Sequence, residues 1–155
     1  MTFMKPIDDV TAEIVDAAYR IHVAMGPGLL ESVYEIVLAR ALEKRGLLVE
    51  RQKAVSFDFD GIHFDEGLRL DMLVESQVVV ELKSLESLAP VHAKQLQTYL
   101  RLLNLRVGLL INFGQVTLKD GLKRIVNKYD FAQNPSATNR LRINDHPTSK
   151  PDTDI

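Results

Sequence analysis

Residues 106–113 form a nearly unbroken apolar run, with Val107, Leu109, Leu110 and Ile111 at its centre. A run so short and so continuous reads as a strand buried on both faces, because a half-exposed strand would alternate. A helical pattern precedes it, opening at Pro90, a residue suited to a first helical turn, and running to about Leu103. Before that helix lies a second apolar strand, 78–83. The helix and buried strand make a crossover, which implies an α/β fold with a mixed sheet and helices on both faces.

The rest of the chain fits around this unit. Residues 10–24 read as an amphipathic helix, with Ile14, Ala17, Ala18, Ile21 and Ala24 at helical spacing and Asp9 or Thr11 as cap. Gly26, Pro27 and Gly28 break the chain, and a second helix spans roughly 29–45, stopping at Gly46. Strand segments follow at 48–55 and 56–59. Asp60-Gly61 is a type I′ hairpin signal, from which 62–64 returns. Residues 68–74 and 78–83 then flank a short turn. Residues 122–127 fit a last strand or a short helix equally well. One domain is expected over residues 1–130. The tail, 131–155, is rich in Asn, Ser, Thr, Pro and Asp and is expected to be disordered, since it buries too little to offset its chain entropy.

Composition narrows the function. The chain has no cysteine, which excludes disulfides and thiolate zinc sites. No apolar run approaches the length of a membrane span and no signal-peptide pattern opens the chain, so the expected location is the cytoplasm, with no membrane partner. A net charge of −2 argues against a broadly basic nucleic-acid surface. A local basic rim remains at Lys119, Lys123, Arg124 and Lys128, which also fits an ordinary solvated surface.

Chemistry concentrates where the apolar strands end. In Glu81-Leu82-Lys83 the two charged residues share a strand face. Whether Asp71 joins them depends on the turn. A three-residue loop at 75–77 places Asp71 opposite Glu81, whereas a two-residue loop sends them to opposite faces. The alternation of 68–74 puts Leu68, Leu70, Met72 and Val74 on one face and Arg69, Asp71 and Leu73 on the other. Two like charges ~4 Å apart repel by about 4 kcal/mol at an effective dielectric near 20. A lysine relieves part of this, and an oxygen-liganded Mg²⁺ or Mn²⁺ would relieve more. Such an ion can stabilise phosphate charge and lower the pKa of its water. Taken alone, the triple fits a salt bridge at a strand exit at least as well.

The phrase from Gly28 to Tyr34, with Glu31 between them, matches Gly-x-x-Glu-x-x-Tyr. It resembles the GxxExxY protein family, a branch of the PD-(D/E)xK nuclease superfamily. Blocks at 69–75, 80–83, 92–96 and 107–113 resemble that family in the same order, covering about residues 7–128. The resemblance implies a three-layer α/β/α sandwich with a mixed central sheet and a restriction-endonuclease-like core. It implies Asp71 and Glu81 as metal ligands, joined by the main-chain carbonyl of Leu82, and Lys83 as the catalytic lysine. Glu31 matches an extra carboxylate from the early helix, acting in catalysis and toward the metal. Gln95 matches a polar residue directed at the site by the later helix. Leu70 stands where the superfamily often has Pro, and Leu68 where the family is expected to have an aromatic.

Other readings accompany these. Glu31 lies in a first helical turn, where the macrodipole alone favours a carboxylate. Tyr34 can bond a site carboxylate or substrate, or simply pack. Arg69 can contact phosphate or pair with an acid. His92, Gln95 and Tyr99 form a polar stripe on one helix, with His92 a candidate for binding substrate. His22 is expected to be a satisfied boundary histidine. The leading expectation is a Mg²⁺- or Mn²⁺-dependent phosphodiester hydrolase acting on DNA or RNA. The alternatives are a non-catalytic nucleic-acid or protein-binding module on the same fold, and a metal hydrolase of other phosphoesters.

Overall fold

A computed structural model describes residues 4–128 and 141–144 of the chain. Helices α1 (Ile7–Met25) and α2 (Glu31–Lys44) precede the long strands β1 (Val49–Phe59) and β2 (Ile62–Val74). Then come β3 (Val78–Lys83), α3 (Pro90–Leu103), β4 (Val107–Asn112), the single turn α4 (Leu118–Gly121), β5 (Leu122–Val126) and β6 (Leu141–Asn144). The six strands form one sheet in the order β5-β4-β3-β2-β1-β6. β3 and β4 pair in parallel through the α3 crossover, and the other pairs are antiparallel, so the sheet is mixed.

The undecided segment at 122–127 is a strand, β5, antiparallel to β4 and entered from a single helical turn. Of the tail expected to be disordered, residues 141–144 pair with β1 as an edge strand, and the remainder lies outside the described residues.

Two apolar clusters sandwich the sheet. On one face Val10, Ile14, Ala17 and Ile21 of α1 and Leu38 and Leu42 of α2 meet Met72, Val74, Val80, Leu109 and Ile111. On the other, Leu96 and Leu100 of α3 meet Leu73, Val79 and Leu110. Every residue of β4 is buried, as its continuous apolar run requires. The three layers follow from these faces: an amphipathic helix covers each side, and the strands between are apolar on both.

Local signals place the ends. Asp60 and Gly61 both have positive φ, 50° and 76°, and close the β1–β2 hairpin between Phe59 and Ile62. Gly46, at φ 80°, ends α2 with its N–H on the Glu43 carbonyl and the Leu47 N–H on that of Leu42.

One expectation about faces is corrected. Leu68 and Leu70 do not share a face with Met72 and Val74: the first two lie in the α3 cluster, the last two in the α1–α2 cluster. The side changes on β1 as well, where Val49 packs with the first cluster and Val55 belongs to the second. At this rung of β1, Gln52 has φ 48° and interrupts the extended backbone.

Candidate active site

The β2–β3 ladder runs Val74↔Val78, Leu73↔Val79, Met72↔Val80, which is the register of a three-residue loop. Within that loop Glu75 and Ser76 both take left-handed φ, 52° and 53°, and the Gln77 N–H closes onto the Val74 carbonyl at 3.0 Å. The next rung brings Asp71 to Glu81, and there side chains replace backbone pairing. The Asp71 N–H donates to Glu81 Oε1 at 3.2 Å. The Leu82 N–H donates to Asp71 Oδ2 at 2.9 Å. Each acid thus braces the other's strand where β2 and β3 part. In a strand the Leu82 carbonyl lies on the same edge as its N–H.

Glu81 is 7% exposed. Burial above all, then the negative charge of Asp71 and a side-chain hydrogen bond with it, push its carboxyl up to about 9. The Asp71 backbone N–H and the positive charge of Lys83 oppose this only in part. Glu81 is therefore favoured in its neutral form at neutral pH. Lys83 is half-buried beside it, and its ammonium has no hydrogen bond or ion pair among the described residues.

Helix α3 brings a further group. Tyr99, half-buried, has its phenol raised by burial and by the charges of Glu81 and Asp71, against a hydrogen bond from Gln95. Tyr99 thus stands within electrostatic reach of both acids, with the exposed Gln95 one turn earlier linked to it. Its place in the stripe with His92 and Gln95 was the sequence signal. Spacing alone did not separate it from an ordinary helix flank.

The other expected residues lie elsewhere. Glu31 is exposed at the first position of α2, on an open groove of about 680 Å³ with Gly28, Leu29, Ser84, Leu85 and Glu86. Among the described residues no three His, Asp or Glu side chains gather as a metal-binding group, so Glu31 does not close on Asp71 and Glu81. Tyr34 does not reach the acids. It is fully buried, stacks on Phe113 at 4.4 Å, donates to the Gly26 carbonyl at 2.5 Å and accepts from the Leu29 N–H at 3.2 Å. Its function is to brace the glycine-rich loop before α2, where Gly28 has φ 103°. Arg69 binds Glu66 through Nε at 2.7 Å and the Gln52 carbonyl through Nη1 at 3.2 Å. His92 Nδ1 accepts the Ala89 N–H at 3.1 Å, capping α3. His22 is buried, and its Nε2 donates to the Gln115 carbonyl at 2.8 Å, as a satisfied boundary histidine should.

An Asp and a Glu-x-Lys on adjoining antiparallel strands, followed by a helix and a parallel strand, form a recognisable constellation. A family model described as the PD-(D/E)XK nuclease superfamily matches residues 8–125. The chain belongs to the PD-(D/E)XK nuclease superfamily. The mixed α/β sandwich is consistent with the superfamily's restriction-endonuclease-like core. Membership points to a nuclease-like function on nucleic acid, and PD-(D/E)XK nucleases generally use divalent metals. No curated protein and no solved structure matches the chain significantly. No helix among the described residues is long and apolar enough to cross a membrane.

Proposed function

We propose that this PD-(D/E)XK chain is a Mg²⁺- or Mn²⁺-dependent nuclease that hydrolyses phosphodiester bonds in DNA or RNA, of the GxxExxY branch. The observation that carries the reading is the Asp71–Glu81 brace, with Glu81 buried and forced toward its neutral form. A buried acid pair with one lysine nearby is costly in itself, and the cost is relieved by a cation. The donors are all oxygen, which fits a hard divalent ion. Asp71, Glu81 and the Leu82 carbonyl would hold it, with Glu31 of α2 reaching it only through water. When bound, the ion would supply phosphate charge stabilisation and a more acidic water.

The chain's own residues divide the remaining work. Lys83, without a hydrogen-bond or ion-pair partner among the described residues, orients the attacking water or takes its proton. Gln95 and Tyr99 close the α3 side and orient water or substrate. His92 keeps Nε2 available for a phosphate. A cytoplasmic setting belongs to the same reading, since nucleic acid is found there. The test is cleavage of single- and double-stranded DNA and RNA with Mg²⁺ or Mn²⁺. Wild-type activity that is lost in Glu81→Ala and Lys83→Ala is expected. Activity surviving both substitutions would refute the assigned chemistry.

The position of Glu31 outside the acid pair favours a second reading, a binding module on the same fold without catalysis. Mn²⁺ uptake at the pair distinguishes the two, because the nuclease requires it and the module does not.

A further inference from the structure

The β1–β2 hairpin turns over at Gln52. This residue falls opposite Asp71, between the pairs Arg51↔Met72 and Lys53↔Leu70. Its φ of 48° is in the left-handed region, which a residue with a Cβ enters only against steric resistance. Both strands change sides at this rung: Val49 and Met72 lie toward α1 and α2, Val55 and Leu70 toward α3. In a regular strand Arg51 and Gln52 would point to opposite faces. Here both end on the buried Glu35 of α2, Arg51 Nη2 at 2.9 Å from Oε2 and Gln52 Nε2 at 2.6 Å from Oε1. The Gln52 carbonyl, turned out of regular pairing, accepts from Arg69 at 3.2 Å.

We propose that Gln52 is a positioning residue for Asp71: its left-handed backbone turns the hairpin over at this rung and delivers the Asp71 carboxylate into the gap between β2 and β3. Extended backbone at 52 would carry the alternation through, standing the Asp71 side chain upright beside Leu73, opposite Glu81 but away from the Leu82 amide. The strain sits directly behind a functional carboxylate, where it sets geometry that alternation alone does not provide. The inference rests on the reading of Asp71 as a metal ligand for its consequence, but the positioning itself has an independent readout.

Gln52→Val and Gln52→Gly separate the possibilities in the full chain. Valine resists the left-handed region, whereas glycine enters it freely. Two quantities are measured: hydrogen-exchange protection of the Leu82 amide and affinity for Mn²⁺. The valine chain is expected to lose Leu82 protection and to weaken Mn²⁺ binding by about ten- to hundredfold. The glycine chain is expected to stay close to wild type in both. Should the valine chain not fold, Gln52→Ala, which strains the turn less, carries the same comparison. If wild type takes up no Mn²⁺, the metal reading falls while Leu82 protection still decides the positioning. Wild-type protection of Leu82 in the valine or alanine chain, or its loss in the glycine chain, overturns the proposal.

Discussion

Asp71 and Glu81 hold each other's strands: the Asp71 N–H donates to Glu81 Oε1 at 3.2 Å, while Asp71 Oδ2 accepts the Leu82 N–H at 2.9 Å. The ladder that pairs Met72 with Val80 stops one rung short of them. Two carboxyl groups are thereby fixed at a strand fork, where regular pairing would have left only backbone.

This arrangement makes stability depend on pH in an unusual direction. Glu81 binds its proton up to about 9 when folded, against 4.5 when unfolded. Below the lower value both states are protonated and nothing is lost. Between the two values the unfolded chain sheds the proton first, so the folded state weakens as pH rises, and the loss levels off above the upper value. Each unit of separation costs about 1.4 kcal/mol. Urea unfolding of the metal-free chain from pH 5 to 9 should show this fall, and Glu81→Gln should flatten it. A slope unchanged by the substitution would mean that Glu81 does not carry the proton.

Lys83→Met should separate chemistry from binding. Cleavage is expected to fall by about 10²- to 10⁴-fold, the usual range for a group that moves or holds a proton. Mn²⁺ affinity should change far less, because the ligand oxygens remain. Equal losses in both would reassign Lys83 to charge balance of the acids.

Tyr99→Phe keeps the ring that packs beside Leu96 and Leu100 and removes only the hydroxyl. Stability should move by no more than about 1 kcal/mol. Cleavage should drop by about tenfold, the equivalent of one hydrogen bond of about 1.4 kcal/mol in the transition state. Full activity in this variant would leave Tyr99 a packing residue.

Tyr34→Phe should do the reverse. Losing the hydroxyl removes part-buried bonds to the Gly26 carbonyl and the Leu29 N–H, at a cost of about 1 kcal/mol in unfolding measurements. Substrate affinity should be unaffected at temperatures where the loop stays folded. Weaker substrate binding with unchanged stability would restore Tyr34 as a binding residue.

What could be read from the amino acids was the part set by periodicity and turn chemistry. The continuous run at 106–113 declared β4 and Pro90 opened α3, while the Asp71–Glu81 register was legible only as a condition on a three-residue loop, which the β2–β3 ladder meets. The site's finer geometry depends on long-range partners that have no local signature. Gln52 is not a residue type that announces left-handed backbone, and its anchor, Glu35, comes from a different element. At the same rung Leu68 and Leu70 part from Met72 and Val74 to the opposite side of the sheet. Tyr34 and Arg69 carried a polar group in a matching pattern, and only the fold showed those groups already bonded to loop and strand.

Calorimetric titration of Mn²⁺ into the full chain near pH 7.5, repeated in two buffers of different ionisation enthalpy, tests the Asp71–Glu81 centre most directly. One ion should bind and release about one proton, because a carboxyl must ionise to become a ligand. Asp71→Asn, which retains an acceptor for the Leu82 amide, should bind at least about tenfold more weakly. Binding without proton release, or equal affinity in the two chains, would place the metal elsewhere and contradict the site.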